Sequence, residues 1–219
     1  MNLQIFRDLL DFSILVPLVT GIFRYNKLNL ALKWFCCYLF LGAVNEFCSF
    51  LIPKTPFISN IQNYFFIIFE NFFLLATLQN WMDRDKKSKF FILFLVTSCI
   101  IFSISIEIYL KGVSEYRYAF NFIISDLIVI KIVIYVFVQT ITIKNIRQKD
   151  KQTRLLILIP LLIVLLNYVI SGLAIYFLYE PNNIAFYQNL YWLVSITNVF
   201  SYTFYTLAFI WAPLKEKFL

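Results

Sequence analysis

Histidine is absent from the 219 residues, and glycine and cysteine occur only four times each. Without histidine there is no His-containing metal site, no histidine-held haem, and no Ser-His or Cys-His nucleophile pair. Glycines at 21, 42, 112 and 172 alone leave no phosphate-cradling loop. Cys36 and Cys37 are adjacent, while Cys48 and Cys99 stand apart in apolar runs, so neither a CxxC pair nor a disulfide framework is visible. All four read as small packing residues. Charge is scarce as well: 14% of the residues are charged, against 61% hydrophobic and 20% aromatic, too little to cover a globular surface in water. No catalytic, cofactor-binding or metal-ligating set is expected.

What the chain has in quantity is apolar length. About 20 residues at 1.5 Å each cross a hydrocarbon layer of roughly 30 Å. Candidate spans run over 6–23, 30–52, 61–81, 90–110, 118–141, 155–178 and 186–211. The fold class read from them is all-α: a single transmembrane bundle over residues 1–219 with seven helices. The first run is the weakest, since its apolar core covers only Phe12 to Phe23 and it carries Arg7, Asp8 and Asp11, so six spans is the alternative. A cleaved signal peptide is disfavoured there, because no basic segment leads the core and "FRYNKLN" is no small-residue cleavage site.

Basic residues set the expected orientation. Arg24, Lys27 and Lys33, then Arg84, Lys86, Lys87 and Lys89, then Lys144, Arg147, Lys149, Lys151 and Arg154, and finally Lys215 and Lys217 fall on one side. Arg7, Lys54, Lys111 and Arg117 fall on the other. The positive-inside rule places the first group in the cytoplasm, with the N-terminus outside and the C-terminus inside a cell membrane, taken here as a bacterial cytoplasmic membrane. Trp34, Trp81 and Trp211 would then form an inner aromatic belt, with Trp192 near the outer face. Topology and anionic headgroups account for the basic stretch "KNIRQKDKQTR", so nucleic acid is not an expected partner. The lipid bilayer is, and a cytoplasmic protein at the basic loops is a second expectation.

An internal echo runs through the chain. Lys33, Asn45, Pro56, Gln62-Asn63 and Asn71 match Arg154, Asn167, Pro181, Gln188-Asn189 and Asn198 in order, with small shifts of spacing. A duplication of this kind would be parallel, three helices plus a linking fourth plus three, as some transporters are built.

The polar residues inside the runs mark the candidate site. Asn63, Ile67, Glu70, Leu74 and Thr77 share one helix face, and Tyr191, Ser195, Asn198, Tyr202 and Tyr205 share another. Glu46, Asp126, Lys131 and Asn167 add polar groups on three further helices. A charged side chain at mid-membrane costs on the order of 3 kcal/mol on insertion scales, so Glu70 must be protonated or paired. Lys131 is the cation far from both interfaces, which makes a Glu70–Lys131 ion pair the expected centre. Asp126 lies five residues before Lys131, about 140° around the helix, and needs another partner or water. Glu46, Asn63, Glu70, Asp126, Lys131, Asn167, Asn198 and Tyr202 therefore form the candidate polar centre for a small-molecule or ion ligand. Asn45, Asn167, Ser171 and Ser195 also read as interhelical glue.

Seven helices with an outside N-terminus share their topology with microbial rhodopsins, but residues 186–211 hold no lysine for retinal, and the likeness ends there. The reading that follows is a non-enzymatic membrane protein that senses a signal or serves as an accessory subunit. A small-solute or ion transporter on the parallel repeat is the alternative, and an intramembrane lipid-modifying enzyme using Glu46, Glu70 and Asp126 is the third.

Overall fold

A computed structural model describes residues 10, 12–51, 56–82, 85–111, 119–144, 146–177 and 184–213. Arg7, Asp8, Asp11, Lys54, Arg84, Arg117, Pro181, Lys215 and Lys217 lie outside them. Within them the fold is all-helical. A 3-10 turn, Phe12–Ile14, leads into α1 (Leu15–Arg24), followed by α2 (Leu30–Leu51), α3 (Pro56–Trp81), α4 (Lys86–Lys111), α5 (Ala119–Thr142), α6 (Gln148–Phe177) and α7 (Ile184–Trp211). Helices α2 to α7 are each long and apolar enough to cross a bilayer, so the chain is a multi-pass membrane protein. The ten residues of α1 cover about 15 Å, half of a hydrocarbon layer.

Apolarity located the helices but clipped their ends. α3 begins at Pro56, five residues before the apolar run, because proline's missing N–H and fixed φ suit the first helical position. α4 is capped by Asp85, whose Oδ2 accepts the Ser88 N–H at 3.1 Å. The Ser88 hydrogen bonds hold the Asp85 carboxyl below its ordinary pKa of 3.8. Asn29 caps α2 in the same way, its Oδ1 accepting the Leu32 N–H at 3.0 Å. α6 starts at Gln148, two polar turns before its apolar run.

α2 packs along α3, α6 lies between α5 and α7, and α1 sits against α7 and α2. α4 joins α3 and α5 from the outside, leaving Phe90, Phe91, Phe94, Phe102 and Tyr109 exposed. Exposed aromatic and aliphatic surface of this extent is tolerable against lipid or another protein's apolar face, not against water. Because lipid tails are as apolar as the core, close fit and dispersion hold such helices together, with little help from water exclusion. Phe35 on α2 shows the fit: fully buried, it meets Tyr205 edge-on at 4.9 Å and Phe209 at 6.0 Å, both on α7. Gly21 lets α1 approach the same spot, since a Cβ there would stand 3.0 Å from Cys36 Sγ and 3.1 Å from the Phe209 ring.

The aromatic belt is only partly as the sequence suggests. Trp211 is exposed, but Trp81 is buried and Trp34 is half-buried, stacked on Phe73 at 5.9 Å. Trp81 is covered because Arg154 of α6 lies over its indole at 5.9 Å and donates to its carbonyl at 3.3 Å. That contact belongs to a wider pattern at the basic end of the bundle. Lys151 donates to the Ile141 carbonyl of α5 at 3.0 Å. Arg24 donates to the Phe209 and Ile210 carbonyls of α7 and, at 3.1 Å, to that of Ala212. The C-termini of α3, α5 and α7 thus each receive a cation, which satisfies orphan carbonyls and opposes the negative end of the helix dipole.

Candidate functional site

Glu70 lies fourteen residues from Pro56 and eleven from Trp81, roughly 21 Å and 16 Å from the ends of α3. Its carboxyl faces α2, with Oε1 3.7 Å from where a Cβ on Gly42 would stand. A larger residue at 42 would also run into the Ile14 side chain, so this glycine leaves room for both Ile14 and the acid.

Two other carboxyls stand within electrostatic reach of Glu70: Glu46 from α2 and Asp126 from α5. Asp126 is 7% exposed, and its Oδ2 has no hydrogen-bond partner among the described residues. Three tyrosines stand near the acids, Tyr38 on α2, Tyr168 on α6 and Tyr202 on α7, and Tyr205 packs beside Tyr202 with ring centroids 6.2 Å apart. Tyr38, Tyr168 and Tyr202 lie within electrostatic reach of Glu70, and Tyr168 also reaches Glu46 and Asp126. The Tyr168 hydroxyl is held by the Asn198 side-chain amide, 3.2 Å from its Oδ1 and 3.1 Å from its Nδ2. Five helices thus contribute to one polar centre. It is not sealed, since Glu46, Glu70, Tyr38, Asn198 and Tyr202 are half-buried and Tyr168 is 37% exposed. Glu46 is five residues from the end of α2 and Asp126 seven from the start of α5, both ends opposite the basic one. The centre therefore runs from Glu70 near mid-depth to Glu46 and Asp126 on the side away from the basic end.

Lys131 does not join it. Its side chain is exposed on the outer surface of α5, and among the described residues Glu70 and Lys131 form no ion pair. The expected central pair is corrected by how α5 packs. Its inward face is Ser125, Val129, Val133, Val136 and Thr140, all buried and short enough to let neighbouring helices approach. In lipid, close approach decides which face turns inward. Once that face is in, Asp126 is carried toward Glu70 and Lys131 is carried out. The sequence geometry already forbade both from pointing inward, but not which one would.

Of the other candidates, Asn63 is half-buried on the Glu70 face of α3, where Ile67, Leu74 and Thr77 are buried. Asn167 is buried and ties α6 to α7, donating to Thr197 Oγ1 at 3.0 Å and to the Leu193 carbonyl at 3.4 Å. Asn45 accepts from Gln62 at 2.9 Å and ties α2 to α3 in the same manner. Tyr191 is exposed, so the polar stripe of α7 turns inward only from Ser195 onward. Tyr38 and Tyr168 escaped the sequence reading. Their signal was a tyrosine in mid-span, since the amphipathic ring ordinarily sits at the interface.

Two like charges held within electrostatic reach of each other and away from bulk water repel. Glu70 and Asp126 together therefore favour a proton or a cation at the centre. Among the described residues no three acids or cysteines converge closely enough to hold a metal ion directly. The arrangement suits a larger cation, or a hydrogen-bond donor that spans the carboxyls and the tyrosine hydroxyls. No family model, curated protein or solved structure significantly matches this chain.

Proposed function

We propose that this protein is a non-enzymatic membrane sensor that takes a small cationic or hydrogen-bond-donating ligand at the Glu70 centre and signals through helix packing to its basic end. One observation supports the reading: Glu70 and Asp126, on different helices, stand within electrostatic reach of each other among partly exposed tyrosines, with no cation opposite either one among the described residues. A bundle stabilised by glue alone has no need of two like charges at its centre. A ligand that offsets them favours whichever packing of α3 against α2 and α5 holds it best, and any such difference reaches the capped ends of α3 and α5. The exposed Lys27, Lys87, Lys144 and Lys149 at the basic end are available to a cytoplasmic partner. The cell membrane is the proposed location.

The test is sided thiol labelling. In a background lacking the four native cysteines, single cysteines at 126, 198 and 202 are exposed to a membrane-impermeant reagent in intact cells and in inverted vesicles. Labelling from the outer side alone is the expected result. Labelling from both sides moves the reading to a transporter with alternating access, and no labelling reduces the acids to structural groups.

A further inference from the structure

Lys131 is twelve residues from the start of α5 and eleven from its end, about 18 Å and 16 Å along the axis. A lysine stem reaches about 6 Å, so its ammonium cannot snorkel to either interface from that depth. Around it, Leu127, Ile134, Val138 and Ile141 follow at helical steps, each 45–51% exposed, and form one apolar stripe with the lysine along one edge. The buried valines of α5 lie on the opposite side. An ammonium facing hydrocarbon at mid-depth is among the costliest placements for a side chain, and it is stable when an opposite charge meets it there. The described part of this chain offers none: Asp126 is buried on the far side of α5, and Glu70 lies within the bundle.

We propose that the outward face of α5 docks a transmembrane helix of a different protein, one carrying a carboxylate at matching depth. Lys131 is the ionic anchor, and Leu127, Ile134 and Val138 are the flanking contacts. A second copy of this chain docking face to face would set Lys131 against Lys131, so charge complementarity points to a different partner. The proposal does not depend on what the polar centre binds.

The test uses the full chain, labelled with a fluorophore and reconstituted in phosphatidylcholine vesicles, with a synthetic 24-residue leucine-based transmembrane helix as the probe. Three probes carry glutamate, glutamine or leucine at the central position, and association is read by energy transfer. The glutamate probe should associate with the native chain and with Lys131→Arg. Association should fall about tenfold for the glutamine probe or for Lys131→Met, in line with interhelical polar contacts in model peptides. Ile134→Trp, which crowds the same stripe and keeps the charge, should weaken it as well. Equal association of the glutamate and glutamine probes, or undiminished association with Lys131→Met, overturns the proposal. Crosslinking of two copies through a cysteine at 134, or acylation of Lys131 by a water-soluble amine reagent in the vesicles, also overturns it. Thermal unfolding of each variant serves as the folding control, and Lys131→Met should be at least as stable as the native chain, because the exposed side chain leaves no cavity and an unpaired charge is removed.

Discussion

Lysine and glutamate in one membrane bundle invite pairing, yet here each answers to its own helix. Glu70 is held against Gly42 in the interior, whereas Lys131 projects from the outer face of α5. Removing both charges should therefore be additive. In a double-mutant cycle read by thermal unfolding in detergent, Glu70→Gln and Lys131→Met are expected to couple by less than about 0.5 kcal/mol. Glu70→Gln and Asp126→Asn, which stand within electrostatic reach, should couple by about 0.5–3 kcal/mol. Strong coupling in the first cycle would mean that α5 is rotated from the orientation described. The candidate acids were legible one by one, because a carboxyl in an apolar run is conspicuous. Their grouping was not, because which face of α5 turns inward depends on the short side chains of Ser125 to Thr140 and on what packs against them.

At the scale of elements, the helix ends are as informative as the spans. Basic residues placed by topology also act within the fold: Arg24, Lys151 and Arg154 bind the terminal carbonyls of α7, α5 and α3. Arg24 reaches three carbonyls across the interface between α1 and α7. Truncation by Arg24→Met should cost about 1–3 kcal/mol, with the loss seen as faster amide exchange in the last turn of α7. Arg24→Lys should restore only part of it, because one ammonium cannot spread across three carbonyls as a guanidinium does. A full recovery by lysine would show that charge near the helix terminus, and not the forked geometry, sets the effect. The sequence placed these cations at one end of the bundle by counting. It could not assign them to α3, α5 and α7, since each contact joins segments far apart in the chain.

For the molecule as a whole, one end is basic and capped, while two acids of the polar centre, Glu46 and Asp126, lie toward the other. If the positive-inside rule orients it, cysteines at Lys87 and Lys144 should react only in inverted vesicles and one at Phe50 only in intact cells. The reverse pattern would turn the protein over and open the polar centre to the cytoplasm. The sequence by itself determined that this is a helical membrane protein, where six long spans lie, and which residues are too polar for lipid. Those properties follow from the length of apolar runs and from the cost of unpaired charge, both local. Only the tertiary structure decided that Asp126 turns inward and Lys131 outward, that Tyr38 and Tyr168 join the acids, and that Trp81 lies beneath Arg154 instead of in an interfacial belt. In lipid every apolar face is equally acceptable outside, so hydrophobicity does not fix a helix's rotation. Close packing of short side chains does, and that is a property of helix pairs.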